Sequence, residues 1–247
     1  MARAVGVVHV HSAYSHDCRD ALPRLREFAL ERGLRFVGLT DHAEDFDEGR
    51  FAAYRAECAA VSDSAVTLIP GLEFRFPGYT GLHLLALGLT RWIEPAQPAD
   101  FIAETRGCTG LTIAAHPMLF KYQAPAEVWA GIDAIEVWNA SYNTRYLPDP
   151  RAIRLLHEVR RMRPTVVGVA GLDQHDAAND RRTRVIVDAA AADPLVEIRA
   201  GRFHNQGLGM RFGSWPQSTL PLLEAVRFIF DRVERTQERL AKRTAAK

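Results

Sequence analysis

Short apolar runs rich in β-branched residues recur along this chain, and most are followed by a stretch whose apolar residues fall at helical spacing. The first run opens residues 5–17, VGVVHVHSAYSHD. Further strands are predicted at 34–39, 65–69, 83–87, 110–115, 132–137, 165–170 and 195–199. Between them the spacing predicts helices at 19–32 (Leu22, Leu25, Phe28 and Ala29 on one face), within 45–62, and at 98–108, 127–130, 149–162 and 181–191. Gly33 ends the first helix. Residues 201–215 hold four glycines with no sustained period and read as loop or irregular strand. A last helix over about 221–240 carries an apolar stripe at Leu222, Leu223, Val226, Ile229, Phe230 and Val233, then a basic tail.

The polar positions that interrupt this pattern cluster at strand termini. HVH closes the first strand, TDH the second, GLE the third; His83 opens the fourth, and AHP and DQH follow later ones. On a strand, residues i and i+2 share a face, so His9 and His11 point the same way. In an open doubly wound sheet only strands near the switch point meet, whereas a closed β/α barrel gathers its strand ends on one rim. At least six strand termini carry such residues, so a single closed or nearly closed α/β barrel over 1–247 is expected, with 201–247 as a C-terminal loop and helical extension.

Composition changes this picture little. The chain has 247 residues, ample for a core, with 47% hydrophobic and 25% charged residues and a formal net charge of +1. Near-neutral charge gives no support for a broad nucleic-acid surface. Cys18, Cys58 and Cys108 are widely spaced with no CxxC, so a reducing compartment is expected rather than a disulfide framework. With no leader-like start and no apolar run long enough to span a membrane, the expected location is cytoplasmic.

Of the nine histidines, six lie at strand termini: His9, His11, His42, His83, His116 and His175. Asp17, Glu73 and Asp173 accompany them. Taken singly, each has an ordinary explanation. Asp41 can cap a helix, Glu73 can pair with Arg75, and His116-Pro117 can be a turn. Those explanations leave the gathering of imidazoles and carboxylates on one rim unexplained. Mixed His and carboxylate donors suit zinc, manganese or iron, and nine donors exceed what one ion can use. Two or three divalent ions sharing a bridging carboxylate account for the number.

This ordered series resembles the PHP (polymerase and histidinol phosphatase) domain family. The resemblance rests on HVHSAYSHD at 9–17, TDH at 40–42, GLE at 71–73, His83, AHP at 115–117, IEVWN at 135–139 and GLDQH at 171–175, and covers about residues 5 to 200. It implies a distorted (β/α)7 barrel, three ions of zinc, manganese or iron at the C-terminal rim, and phosphoester hydrolysis. It would place one ion on His9, His11, Glu73 and Asp173, a second on Glu73, His83 and His116, and a third on Asp17, His42 and His175. Leu172 departs from the small polar residue frequent in the exonuclease-like branch.

Hydrolysis also follows from the chemistry expected of such a site. Water between two close dications becomes hydroxide near neutral pH and can attack phosphorus in line, so no serine or cysteine nucleophile is needed and Cys18 is incidental. Asp41 is read as a partner that orients a histidine. Arg145, Arg181, Arg199, Arg202 and His204 are candidates for binding substrate phosphate, and Trp138, Tyr142 and Tyr146 for stacking on a base. The expected substrate is a small phosphorylated metabolite or a nucleotide, with a short oligonucleotide as an option. Two other classes compete: an amidohydrolase-type metallohydrolase, although Lys121 lies in a loop and no strand-end lysine suits a carbamate bridge, and a non-catalytic metal-binding accessory domain.

Overall fold

The structure, a computed structural model, describes residues 3–120, 124–141, 147–179, 182–188, 193–207, 210–214, 220–229 and 232; the side chains of 119 and 120 are not among them. The apolar first run forms β1 (Ala4–Val10), and the amphipathic stretch after it forms α1 (Leu22–Glu31), which starts at Pro23 and buries Leu22, Leu25, Phe28 and Ala29. The alternation continues through β2 (Phe36–Leu39), β3 (Asp41–His42), α2 (Glu48–Val61), β4 (Thr67–Ile69), β5 (Gly71–Arg75), β6 (His83–Leu87), α3 (Pro98–Glu104) and β7 (Leu111–Ala114). After these come α4 (Pro117–Phe120), α5 (Ala126–Gly131), β8 (Ala134–Asn139), α6 (Pro150–Val159) and β9 (Val167–Gly171). The chain then departs from the helix-strand rhythm with β10 (Arg184–Val187), α7 (Pro194–Arg199), β11 (Phe203–Gly207) and β12 (Met210–Gly213), before a helical stretch at 220–229.

The strands lie in two six-stranded sheets, ordered β12-β11-β10-β1-β2-β4 and β3-β5-β6-β7-β8-β9. Two lengths of chain pass from one sheet to the other. β2 runs into β3 through Thr40, whose N–H donates to Val10 O at 2.8 Å, and β4 runs into β5 across Pro70, which cannot extend the ladder. At the opposite margin the segment after β9 meets β1: Leu172 N–H donates to Val8 O at 3.0 Å, His11 N–H to Gln174 O at 2.9 Å and Gln174 N–H to His9 O at 3.3 Å. The sheets thus meet in two places, rather than forming one uniformly laddered ring.

Nor are the strands all parallel. β6 pairs antiparallel with both β5 and β7. The connection from Arg75 to His83 is too short for a crossover helix and turns through Gly78 and Gly81, both at positive φ (85° and 74°). This reversal places His83, at the start of β6, beside the ends of its neighbours.

One buried cluster fills the space between the sheets, with Val8, Phe36, Leu85, Leu87, Ile113, Val167 and Val185, and a larger one lies between strands and helices. α7 closes the inner cluster at the end opposite the histidines, where Leu195 lies so close to Gly88 and Gly110 that neither position has room for a Cβ.

Two expectations are corrected. Residues 181–191 were expected as helix, but 184–187 form β10, because the β-branched run Val185-Ile186-Val187 gains partners in both β1 and β11. Residues 195–199 were expected as strand and form α7: Asp193 accepts from Leu195 N–H at 2.9 Å, Pro194 occupies the first turn, and Leu195 and Ile198 face inward. Of the two readings left open for 201–215, strand holds over 203–207 and 210–213, which pair as β11 and β12. The expected final helix is present over 220–229; residues 233–247, including most of the basic tail, lie outside the described residues.

Candidate metal centre

The site is built where β1 loses its regularity. The β1–β2 register shifts between Val8 and Val10, and His9 takes a left-handed conformation (φ 64°), a costly one for a residue with a side chain. Backbone bonds from Leu172 and Gln174 on either side hold it there. His9 and His11 do converge, with ring centroids 5.5 Å apart, but a bulge aims them rather than plain strand alternation. His116 (φ 28°) and Asp173 (φ 50°) are also left-handed; Arg182 is the one other non-glycine residue so placed among those described. Backbone strain is concentrated on the candidate donors.

Glu73 is the hub of the cluster. Its Oε1 lies 2.6 Å from His83 Nδ1, 3.5 Å from His116 Nε2 and 3.8 Å from His9 Nε2, and its Oε2 lies 3.2 Å from His42 Nδ1 and 3.5 Å from His11 Nε2. Asp173 is 3.5 Å from both His9 Nε2 and His116 Nε2, 3.6 Å from His11 Nε2 and 3.7 Å from His175 Nδ1. Asp17 Oδ2 sits 3.1 Å from His42 Nε2 and 3.2 Å from His175 Nε2. All nine side chains expected from the sequence are brought together. Donor atoms of eight of them fall into three overlapping groups able to hold an ion: His11, Asp17, His42 and His175; His9, Glu73 and His116; and His9, His11 and Asp173; the ninth, His83, stands against Glu73.

The spacing is informative. Nε2 of His9 and of His11 are buried with no hydrogen-bond partner, and their carboxylate neighbours stand at 3.5–3.8 Å, too far for a hydrogen bond. Two donors each about 2.0–2.2 Å from a tetrahedral ion stand roughly 3.3–3.6 Å apart. Divalent cations therefore fit the donor set, and they answer the orphaned nitrogens. Electrostatics agree. Burial alone would raise the pKa of Glu73 and Asp173, yet the facing histidines hold both carboxylates well below their ordinary values. Burial likewise opposes the charge on His9, but Asp173 and Glu136 lift its pKa well above the ordinary value.

Several surrounding residues were not singled out from the sequence. Glu136, the one charge inside the buried strand AIEVWN, faces His9 Nδ1 at 3.0 Å and accepts from His116 N–H at 2.7 Å and from Asn139 Nδ2 at 2.9 Å. A Cβ at Gly171 would overlap the Glu136 carboxylate, so the glycine of GLDQH makes room for it. A charge in an otherwise apolar strand was the available signal. Asn139 also reaches Asp173 at 3.3 Å. Asp41 was expected to orient a histidine directly. Instead it accepts from Ser12 N–H at 2.7 Å, Ser12 Oγ at 2.8 Å and Ser15 Oγ at 2.8 Å, fixing the loop after β1; it acts on His11 only through Ser15, 3.4 Å from Nδ1. Glu136 takes the place foreseen for Asp41.

Arg75 is the described arginine beside the cluster. Its Nη2 lies 3.4 Å from both ring nitrogens of His42, and its ion pair is with Glu44 at 3.3 Å, not with Glu73. Arg199, Arg202 and His204 are elsewhere. Arg199 donates to Thr109 O at 3.2 Å, before β7, the strand whose far end leads to His116. Arg202 makes a fork with Glu197 at 2.7 and 2.8 Å. His204 pairs with Ile186, itself paired with Val5, near the start of β1 rather than its end. Arg145, Arg181, Tyr142, Tyr146 and Lys121 lie outside the described residues. Trp138 is fully buried against Phe212, so it packs and does not stack on a ligand. Cys18 is buried with its thiol pushed up to about 11, chiefly by burial, which makes it a poor nucleophile.

Comparison with known proteins agrees with this geometry. The PHP domain family model matches residues 8–117, a stretch that carries seven of the nine candidate donors, from His9 to His116. Among solved structures, PsfC from Pseudomonas syringae is similar over 94% of this chain and 99% of its own, with a TM-score of 0.59 and 16% identity. A protein proposed to be a metal-dependent phosphoesterase, from Bifidobacterium adolescentis, is similar over 70% of this chain and 88% of its own, with a TM-score of 0.51 and 18% identity. No curated protein matches the chain by sequence. Among the described residues, no helix is long and apolar enough to cross a membrane.

Proposed function

We propose that this chain is a metal-dependent phosphoesterase whose two sheets act as a distorted seven-stranded barrel around two or three divalent ions of zinc, manganese or iron. The observation that carries this reading is the set of nine converging His, Asp and Glu side chains, with Glu73 within 3.8 Å of five histidines and buried nitrogens standing at ion-sharing distances. The likeness to the Bifidobacterium protein supports the same class.

Asp17, His42 and His175 would hold the outermost ion, and His9, His11, His83, His116, Glu73 and Asp173 the inner ones. Bound divalent ions supply Lewis acidity and lower the pKa of coordinated water. The protein's own part is to fix the donors. Glu136 holds His9 by Nδ1, leaving Nε2 to face the centre, and Asp41 with Ser12 and Ser15 locks the loop that carries Asp17. Arg75 brings a positive charge to the edge of the cluster beside His42, which favours an anionic substrate over a neutral amide or lactone.

The test is turnover of a phosphomonoester and a phosphodiester by protein reconstituted with manganese or zinc, with metal content measured on the same sample and a His9→Ala/His11→Ala double variant as control. Metal-dependent turnover that disappears in the variant is the expected result. Cleavage of an amide or lactone with no phosphoester turnover would overturn the reading.

A further inference from the structure

A groove of 560 Å³ opens beside the histidine cluster, between the turn after β3, the β5–β6 connection and residues 92–95. Its walls are largely apolar, with Phe46, Phe76, Trp92 and Pro95 among them, and two carboxylates, Glu44 and Glu94, also line it. Arg75 is where groove and cluster meet. It lines the groove, stands two residues after Glu73 on the same face of β5, and is equidistant from the two ring nitrogens of His42.

A guanidinium placed against a histidine of a candidate cation site repels the ions that site would hold. Its pairing with Glu44 does little to offset this, since the two side chains are 45% and 42% exposed and the pair is screened by solvent. The placement becomes favourable when an anion lies between the guanidinium and the ions. The aromatic side chains beyond it suit an aromatic or similarly planar group, while Glu44 and Glu94 oppose a second phosphate in the groove.

We propose that Arg75 receives a phosphoryl oxygen of the substrate and that the groove takes an uncharged, flat, apolar leaving group. The preferred class is thus an aryl-like phosphomonoester and not an oligonucleotide. This inference rests on the phosphoester reading above for its chemistry, but its binding test does not require turnover.

The experiment is calorimetric titration of manganese-loaded protein with phenylphosphonate and methylphosphonate. Alongside it, kcat and KM are measured on phenyl phosphate, methyl phosphate and a 5'-phosphorylated dinucleotide. Phenylphosphonate is expected to bind about tenfold more tightly than methylphosphonate. Trp92→Leu, which keeps apolar bulk but removes the flat face, should abolish that preference. Arg75→Met should weaken both phosphonates about tenfold or more with metal content and circular dichroism unchanged, and Arg75→Lys should recover part of the loss. Equal affinity for the two phosphonates, or binding indifferent to both substitutions, overturns the proposal. If phosphonates bind with these dependences and no ester is cleaved, the hydrolase reading falls and the subsite stands. If esters are cleaved with no aryl preference, the subsite falls and the hydrolase reading stands.

Discussion

His9 is held at Nδ1 by Glu136 at 3.0 Å, and its Nε2 faces Asp173 at 3.5 Å. Burial opposes its protonation, but those carboxylates win and hold its pKa above the ordinary value. These carboxylates favour the imidazolium form of His9 in the metal-free protein. Because its folded pKa is raised, its contribution to stability is fully present below the unfolded value of about 6.5 and is lost as pH rises through the folded value. An ion at Nε2 has to displace that proton. Metal binding at pH 7 should therefore release a proton and tighten as pH rises. Calorimetry in two buffers of different ionisation enthalpy should give different apparent enthalpies, and identical values would contradict the protonated state.

At the scale of elements, α6 shows how local chemistry fixes what tertiary contacts then use. Asp149 caps the helix by accepting from Arg151 N–H at 2.9 Å, and its carboxylate also takes Arg151 Nη2 at 2.7 Å and Arg227 Nη1 at 3.4 Å, tying the 220–229 helix to α6. It touches none of the candidate donors. Asp149→Ala should cost about 1–2 kcal/mol in denaturant unfolding, through loss of the cap and of two buried-side pairings, with bound metal unchanged. A loss of metal at unchanged stability would mean that α6 governs the site. The same scale exposes where sequence periodicity misleads. Residues 184–187 lie in a stretch where both helical and strand patterns can be traced, and pairing with β1 and β11 decides for strand. In α7 the short apolar run LVEIR suggests a strand, whereas Asp193-Pro194 is a helix start.

For the whole molecule, the candidate donors join the two sheets. His9 comes from β1 in one sheet, with His11 directly after it, and His42, Glu73 and His83 from β3, β5 and β6 in the other. Asp173 and His175 follow β9, at the margin where the backbone bonds to β1 are few. Ions bound there would cross-link elements that the ladder itself leaves loosely joined. Removing them with a chelator should lower the thermal unfolding midpoint, by an amount equivalent to about 2.7 kcal/mol if the free ion had been at 100 times its dissociation constant. Re-addition of manganese or zinc should restore it. An unchanged midpoint after verified metal loss would show that the sheets hold without ions.

The alternation of strands and helices, and the nine candidate donors at 9, 11, 17, 42, 73, 83, 116, 173 and 175, were legible in the residues themselves, because apolar period and polar interruption are local properties. What only the tertiary structure decided was direction and company. β6 runs antiparallel because its connection is too short to cross over, and His9 turns inward through a bulge held by residues 172–174. Glu136 reaches His9 across 127 positions of sequence, and Arg75 lies beside His42 while Arg199, Arg202 and His204 are carried to the far end by α7 and β11. A pattern along the chain specifies which side chains have chemistry to offer. Which of them share one space depends on strand direction, register and backbone strain, and those are settled only when distant segments pair.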